Sequence, residues 1–117
     1  MASAPTDELL ARVADRLKAL ADPTRLRILH ALQRGERNVS DLLGEIGGSQ
    51  ANVSKHLARM RLAGLVAARR DGTSVYYRVC DPTAFAVCRT VCDGLEEHAR
   101  SERTLLRSAR SRIAGRR

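Results

Sequence analysis

Two β-prone runs, Leu65–Arg70 and Thr73–Val79, meet at Asp71-Gly72, and no other stretch of this sequence constrains its fold as tightly. A two-residue Asp-Gly connection reads as a type I′ hairpin turn, because both central residues of that turn need positive φ. The hairpin follows directly on Gly64, which closes a helical pattern running from Gln50 to about Ala63 with Val53, Leu57 and Met60 as its apolar positions. Ser49 is placed to cap that helix. Before it, Gly47-Gly48 end a shorter helix that Asn38 can cap and that carries Leu42, Leu43 and Ile46. Helix, glycine-containing turn, helix is the helix-turn-helix unit, and a hairpin behind its second helix is a wing.

Upstream, Leu9, Leu10, Val13, Leu17 and Leu20 recur at helical spacing over Thr6–Ala21. Asp22-Pro23 then restarts the chain: Asp22 can accept from the free N–H groups of a new helix, and Pro23 suits its first position. That helix turns Leu26, Leu29 and Leu32 inward and stops near Gly35. Downstream, Asp81-Pro82 repeats the same start and opens a long last helix that reaches as far as Arg110, its Arg-rich tail, residues 100–117, expected to fray in part. Nothing resembling a linker or a repeat divides the chain, so 117 residues are read as one domain, 1–117, mainly α with a small β-hairpin.

Charge narrows the function. Lys and Arg number 21 against 13 Asp and Glu, a formal net charge of +8, and most of the cations are Arg, whose planar fork suits phosphates and guanine edges. A basic chain attracts nucleic acid or an anionic membrane. No run approaches the ~20 apolar residues of a membrane span, and the N-terminus has no signal-peptide core, so a cytoplasmic location with no membrane partner is expected. The candidate DNA-reading residues lie on the fourth helix: Ser49, Gln50, Asn52, Ser54, Lys55, His56 and Arg59. Gln and Asn pair bidentately with adenine, Arg and Lys with guanine. In the wing, Arg69, Arg70 and Arg78 are candidates for phosphate or minor-groove contacts. Tyr76 and Tyr77 alternate across the strand, one toward the core and one toward the surface. His30, His56 and His98 have no nucleophile partner in reach, so an enzyme is not expected.

Four segments, Asp22–Leu29, Ser49–Leu57, Gly64–Val66 and Gly72–Arg78, taken in that order, resemble the ArsR/SmtB family of bacterial repressors, and the resemblance runs from about Leu17 to Leu95. It implies a homodimer of winged-helix subunits paired through their first and last helices, binding of a palindromic double-stranded DNA operator, and release when a metal, metalloid or thiol-reactive signal arrives. The family's Cys-x-Cys site before the recognition helix is absent here, since the comparable stretch is Asn38–Leu42. Its oxygen/nitrogen zinc site also fits poorly, because His98 and Glu102 lack the upstream Asp-x-His.

Three cysteines remain. Cys88 and Cys92 stand four apart on the last helix, one above the other, so both sulfurs can meet one soft ion. Cys80, about two turns away, would join them only by rearrangement or from the other subunit. Three thiolates suit arsenite or antimonite; zinc or cadmium want a fourth ligand. Against this, Phe85, Cys88, Cys92 and Leu95 form an apolar stripe, and a buried Cys is also simply a small hydrophobe. Arsenite or another soft ion is the expected effector. The alternatives are a thiol redox or sulfide sensor of the same fold, a repressor without effector, and a protein-interaction module.

Overall fold

A computed structural model describes residues 3–114. The elements run α1 (Asp7–Leu20), α2 (Pro23–Leu32), β1 (Arg37–Asn38), α3 (Val39–Ile46), α4 (Gln50–Leu62), β2 (Val66–Asp71), β3 (Ser74–Val79) and α5 (Thr83–Ala114). They form two compact units, one up to Pro82 and one from Thr83. The first is a winged helix-turn-helix. The second is α5, a single helix of 32 residues, about 48 Å long at 1.5 Å per residue. The basic segment from Arg100, expected to fray in part, is helical as far as Ala114, and residues 115–117 lie outside the described residues. No described helix is long and apolar enough to cross a membrane.

Side-chain caps start the first four helices. Thr6 Oγ1 accepts from the Leu9 N–H at 3.2 Å, and Ser49 Oγ from the Asn52 N–H at 3.1 Å. Asp22 Oδ1 accepts from the N–H groups of Thr24 at 2.8 Å and Arg25 at 3.1 Å, with Pro23 in the first turn. At α3 the cap is reciprocal: Asn38 Oδ1 accepts from the Asp41 N–H at 2.8 Å, and Asp41 Oδ2 accepts from the Asn38 N–H at 3.4 Å. Each satisfies amide donors that a helix start leaves without partners. Helix α4 ends in a Schellman motif. The Leu65 N–H donates to the Met60 carbonyl at 2.9 Å and the Gly64 N–H to that of Arg61 at 3.0 Å, a geometry that requires the φ of +77° at Gly64.

The core of the first unit is aliphatic. Ile28, Leu29, Leu42, Val53, Leu57, Met60 and Leu65 are fully buried. They come from the inner faces of α2, α3 and α4 and from the link into β2. Each Å2 of apolar surface this cluster removes from water stabilises the unit by about 25 cal/mol.

The sheet differs from the expected hairpin in two ways. It has three strands in the order β1-β3-β2, with Arg37 opposite Tyr77 and Asn38 opposite Tyr76. A two-residue strand is too short to show alternation in sequence. The hairpin also turns one residue later than Asp71-Gly72. Asp71 pairs with Ser74, so Gly72-Thr73 form the loop. Among the described residues only glycines have positive φ, and Gly72 stands at +62°. Positive φ at the first loop residue alone is the φ signature of type II′, which spares Asp71 the left-handed conformation that type I′ demands. The corrected register moves each partner by two residues, so every side chain keeps its face. Tyr76 and Tyr77 do lie on opposite faces, yet both are half-buried rather than one in and one out.

Candidate nucleic-acid interface

Helix α4 buries Val53, Leu57 and Met60, and this fixes what its other side presents. Gln50, Asn52, Lys55 and Arg59 are exposed. Asn52, Lys55 and Arg59, three and four positions apart, form a continuous polar row opposite the buried stripe. Gln50 is the first residue of the helix, and Ser49 stands before it as its cap. Amide, ammonium and guanidinium groups on one exposed helix face supply the donors and acceptors that distinguish base edges in a major groove.

Ser54 and His56 flank that row and are half-buried. His56 is engaged within the first unit. Its Nδ1 lies 3.3 Å from Arg25 Nη1 and its Nε2 3.9 Å from Asp22 Oδ1. Facing a guanidinium donor, Nδ1 accepts, which leaves the proton of a neutral ring on Nε2, toward the carboxylate. Arg25 itself is buried, and its Nη2 donates to the Lys18 carbonyl at 3.1 Å. One guanidinium thus ties the end of α1, the start of α2 and the middle of α4. The Arg25 backbone N–H, chiefly, holds the Asp22 carboxyl below its ordinary value; His56 and the Thr24 N–H add to this and burial opposes it. In the sequence, Arg25 stands only as part of a motif and His56 as a candidate DNA-facing residue. An arginine at helical spacing with the apolar Ile28, Leu29 and Leu32 is the sequence signal that could have found this junction.

In the wing the arginines are not equivalent. Arg69 Nε donates to Glu36 Oε2 at 2.5 Å, its Nη1 lies 3.8 Å from Asp71 Oδ2, and its guanidinium sits 4.9 Å from the centre of the Tyr76 ring. Two carboxylates and an aromatic face hold it within the sheet. Arg70, on the opposite face, and Arg78 are exposed and have no ion pair among the described residues. Glu36, which sequence reasoning passed over, therefore distinguishes Arg69, which has a carboxylate partner, from Arg70 and Arg78. It comes into reach of Arg69 because β1 pairs with β3.

The cysteines divide between the units. Cys80 belongs to the first, where its N–H donates to the Leu65 carbonyl at 3.0 Å and its Sγ to that of Gly64 at 3.3 Å. Cys88 and Cys92 lie one turn apart on α5. Burial, first, and then Cys92 push the Cys88 thiol above its ordinary value, so the thiol form prevails at neutral pH. Among the described residues no group of three or more His, Cys, Asp or Glu gathers as a metal site. His98 and Glu102 pair along α5 at 3.3 Å.

A helix-turn-helix followed by a basic wing defines the winged-helix class of DNA-binding proteins. Residues 22–68 match the model of the bacterial regulatory protein arsR family. The chain is 40% identical over 73 residues to the HTH-type transcriptional regulator KmtR of Mycobacterium tuberculosis, covering 62% of this chain and 56% of that protein. It is 48% identical over 65 residues to the probable mercury resistance operon repressor of Streptomyces lividans, covering 56% of this chain and 52% of that one. The matched part thus spans little more than half the length of these curated relatives. The homodimeric winged helix-turn-helix DNA-binding domain of Mb0332 from Mycobacterium bovis superimposes with a TM-score of 0.69 at 37% identity, covering 83% of this chain and 95% of that one. The chain belongs to the ArsR family of bacterial transcriptional regulators. Its relatives are regulators, not enzymes.

Proposed function

We propose that this protein is a cytoplasmic homodimeric repressor that reads a palindromic operator with α4 and is released by a soft thiophilic ion at Cys88 and Cys92. The observation that carries the DNA reading is the exposed row Asn52, Lys55 and Arg59 on the second helix of the helix-turn-helix. Gln50 and Ser49 extend the contact at the helix start, and Arg70 grips phosphates from the wing. Ser54 stands at the edge of this surface. His56 and Arg69 act by holding α4 and the wing in place. Pairing through α1 and α5 is supported by Leu9, Leu10, Val13 and Leu17, 45–51% exposed, and by Val91 and Leu95, 56% and 66% exposed. These stripes are wider than a solvated helix needs, and two-fold association is the common way to cover them.

For the effector, two adjacent thiols on one helix suit an ion that binds thiolate sulfur. Cβ atoms four apart on a helix are about 5–6 Å from each other, too far for a disulfide without unwinding α5, which favours an ion over oxidation. Arsenite is the ion proposed first. The mercury resistance repressor among the relatives makes mercuric ion the second to test. Cys80, or a thiol of the partner subunit, would supply the third sulfur that arsenite takes. The bound ion would bring charge neutralisation by two or three thiolates and a preference for one arrangement of paired helices, as coupling requires.

Random duplexes enriched on the reduced protein should converge on inverted half-sites about one DNA turn apart. Asn52→Ala should then lose about 1–3 kcal/mol on the enriched sequence and little on random DNA. Arsenite should release the complex, and Cys88→Ser or Cys92→Ser should abolish release while leaving affinity within a few-fold. Failure to enrich any sequence would sink the DNA reading. Release unchanged in both serine variants would sink the thiol site alone.

A further inference from the structure

Helix α5 continues well past the cysteines, and its last third is built differently from the rest. Between Arg100 and Arg112 it carries five arginines against one carboxylate, Glu102. Arg100, Arg103, Arg107 and Arg110 follow one another at spacings of three and four, which stacks them on one helix face. All four are exposed. Glu102 is taken by His98 and Arg100 by Glu97 at 3.2 Å; Arg103, Arg107 and Arg110 have no carboxylate partner among the described residues. Leu106 and these three line a shallow groove of about 220 Å3 along the helix.

A straight row of unpaired guanidinium groups fits a linear polyanion. From Arg103 to Arg110 the rise is about 10 Å, the axial length of about three phosphates on one strand of a duplex. Each guanidinium can take a phosphate bidentately. The segment has no aromatic residue, since Tyr76, Tyr77 and Phe85 are the only ones in the chain. It therefore lacks the stacking platform of a single-strand binder and the aromatic anchors common in helices that lie on membranes. We infer that the Arg100–Arg110 face of α5 is a second duplex-DNA contact, separate from α4, that grips phosphates and reads no bases. The inference rests on the reading of this protein as a duplex-DNA binder.

The test uses the full chain with Arg103→Gln, Arg107→Gln and Arg110→Gln together, bound to a 40-base-pair mixed-sequence duplex across a salt series. Each lost phosphate contact lowers the slope of log affinity against log salt by about 0.9, so one engaged stripe accounts for nearly 3. Between 50 and 200 mM salt the parent should then lose roughly 40-fold more affinity than the variant. The matching triple Lys variant should keep the parental slope, and circular dichroism should show α5 still helical in both. Parental slope in the Gln variant would overturn the inference. So would an unchanged slope on DNA with lost binding to phosphatidylserine vesicles, which would mark a membrane contact. A Lys55→Gln, Arg59→Gln variant runs beside them. If it binds DNA like the parent, the α4 reading fails, while the α5 result stands on its own.

Discussion

Helices α4 and α5 are both amphipathic, yet they solve opposite problems. In α4 the apolar stripe is finished inside the chain: Val53, Leu57 and Met60 are at most 1% exposed. In α5 the comparable positions Val91, Leu95, Leu105 and Leu106 are 56–67% exposed. The first helix borrows its stability from the core and, apart from Leu62 at its last turn, offers a polar face. The second keeps apolar surface in water that one chain does not cover. Helical periodicity announces that a helix has a partner; whether that partner lies in the same chain is a tertiary fact.

The sharpest way to break this contrast is to cut the same methyl groups from each helix. Leu57→Ala should lower the unfolding free energy by about 2–5 kcal/mol at every protein concentration, because Leu57 is fully buried and its loss opens a cavity in the core of the first unit. Leu95→Ala should change the stability of dilute protein by no more than about 0.5 kcal/mol and act only on its concentration-dependent part. Chemical denaturation at two concentrations checks both. Equal, concentration-independent losses would erase the distinction.

A charge on the exposed stripes gives the next largest effect. Leu10→Asp on α1 or Leu95→Asp on α5 should convert dimer to monomer in sedimentation at micromolar concentration with far-ultraviolet dichroism preserved. A parent that sediments as a monomer would end the pairing proposal.

The smallest effect lies at Asp22, where α2 begins beside His56. Its carboxyl is held below the ordinary value, so the folded protein favours the charged form. The stability this contributes is fully present above the unfolded carboxylate range and is lost as pH falls below about 4. Asp22→Asn keeps a cap acceptor without the titration. It should be less stable than the parent at neutral pH, and the gap should close toward pH 3. A gap that stays constant with pH would remove the carboxylate from the junction.

Much of the first unit was legible because its signals are local. Asp22-Pro23, Asn38, Ser49 and Gly64 each act within a few residues, and each sits where its chemistry required. What escaped depends on distant neighbours. Strand β1 exists only because β3, about 40 residues later, lies beside it. The site divides the same way. The exposed row on α4 followed from the spacing of its apolar residues. That Arg69 is bound by Glu36 and His56 faces Arg25 depended on partners 33 and 31 residues away.

Asn38 is at once the end of β1 and the cap of α3. The path α3, α4, β2, β3, β1 and back to α3 is therefore a closed mechanical loop, with Gly64 at one joint and Asn38 at another. Load placed on the wing by a phosphate is shared between two tethers, one into each helix of the helix-turn-helix. Such a loop resists internal shear and turns as one plate. Under the proposed function, a signal that releases DNA would then act by tilting the whole plate rather than by parting the wing from α4.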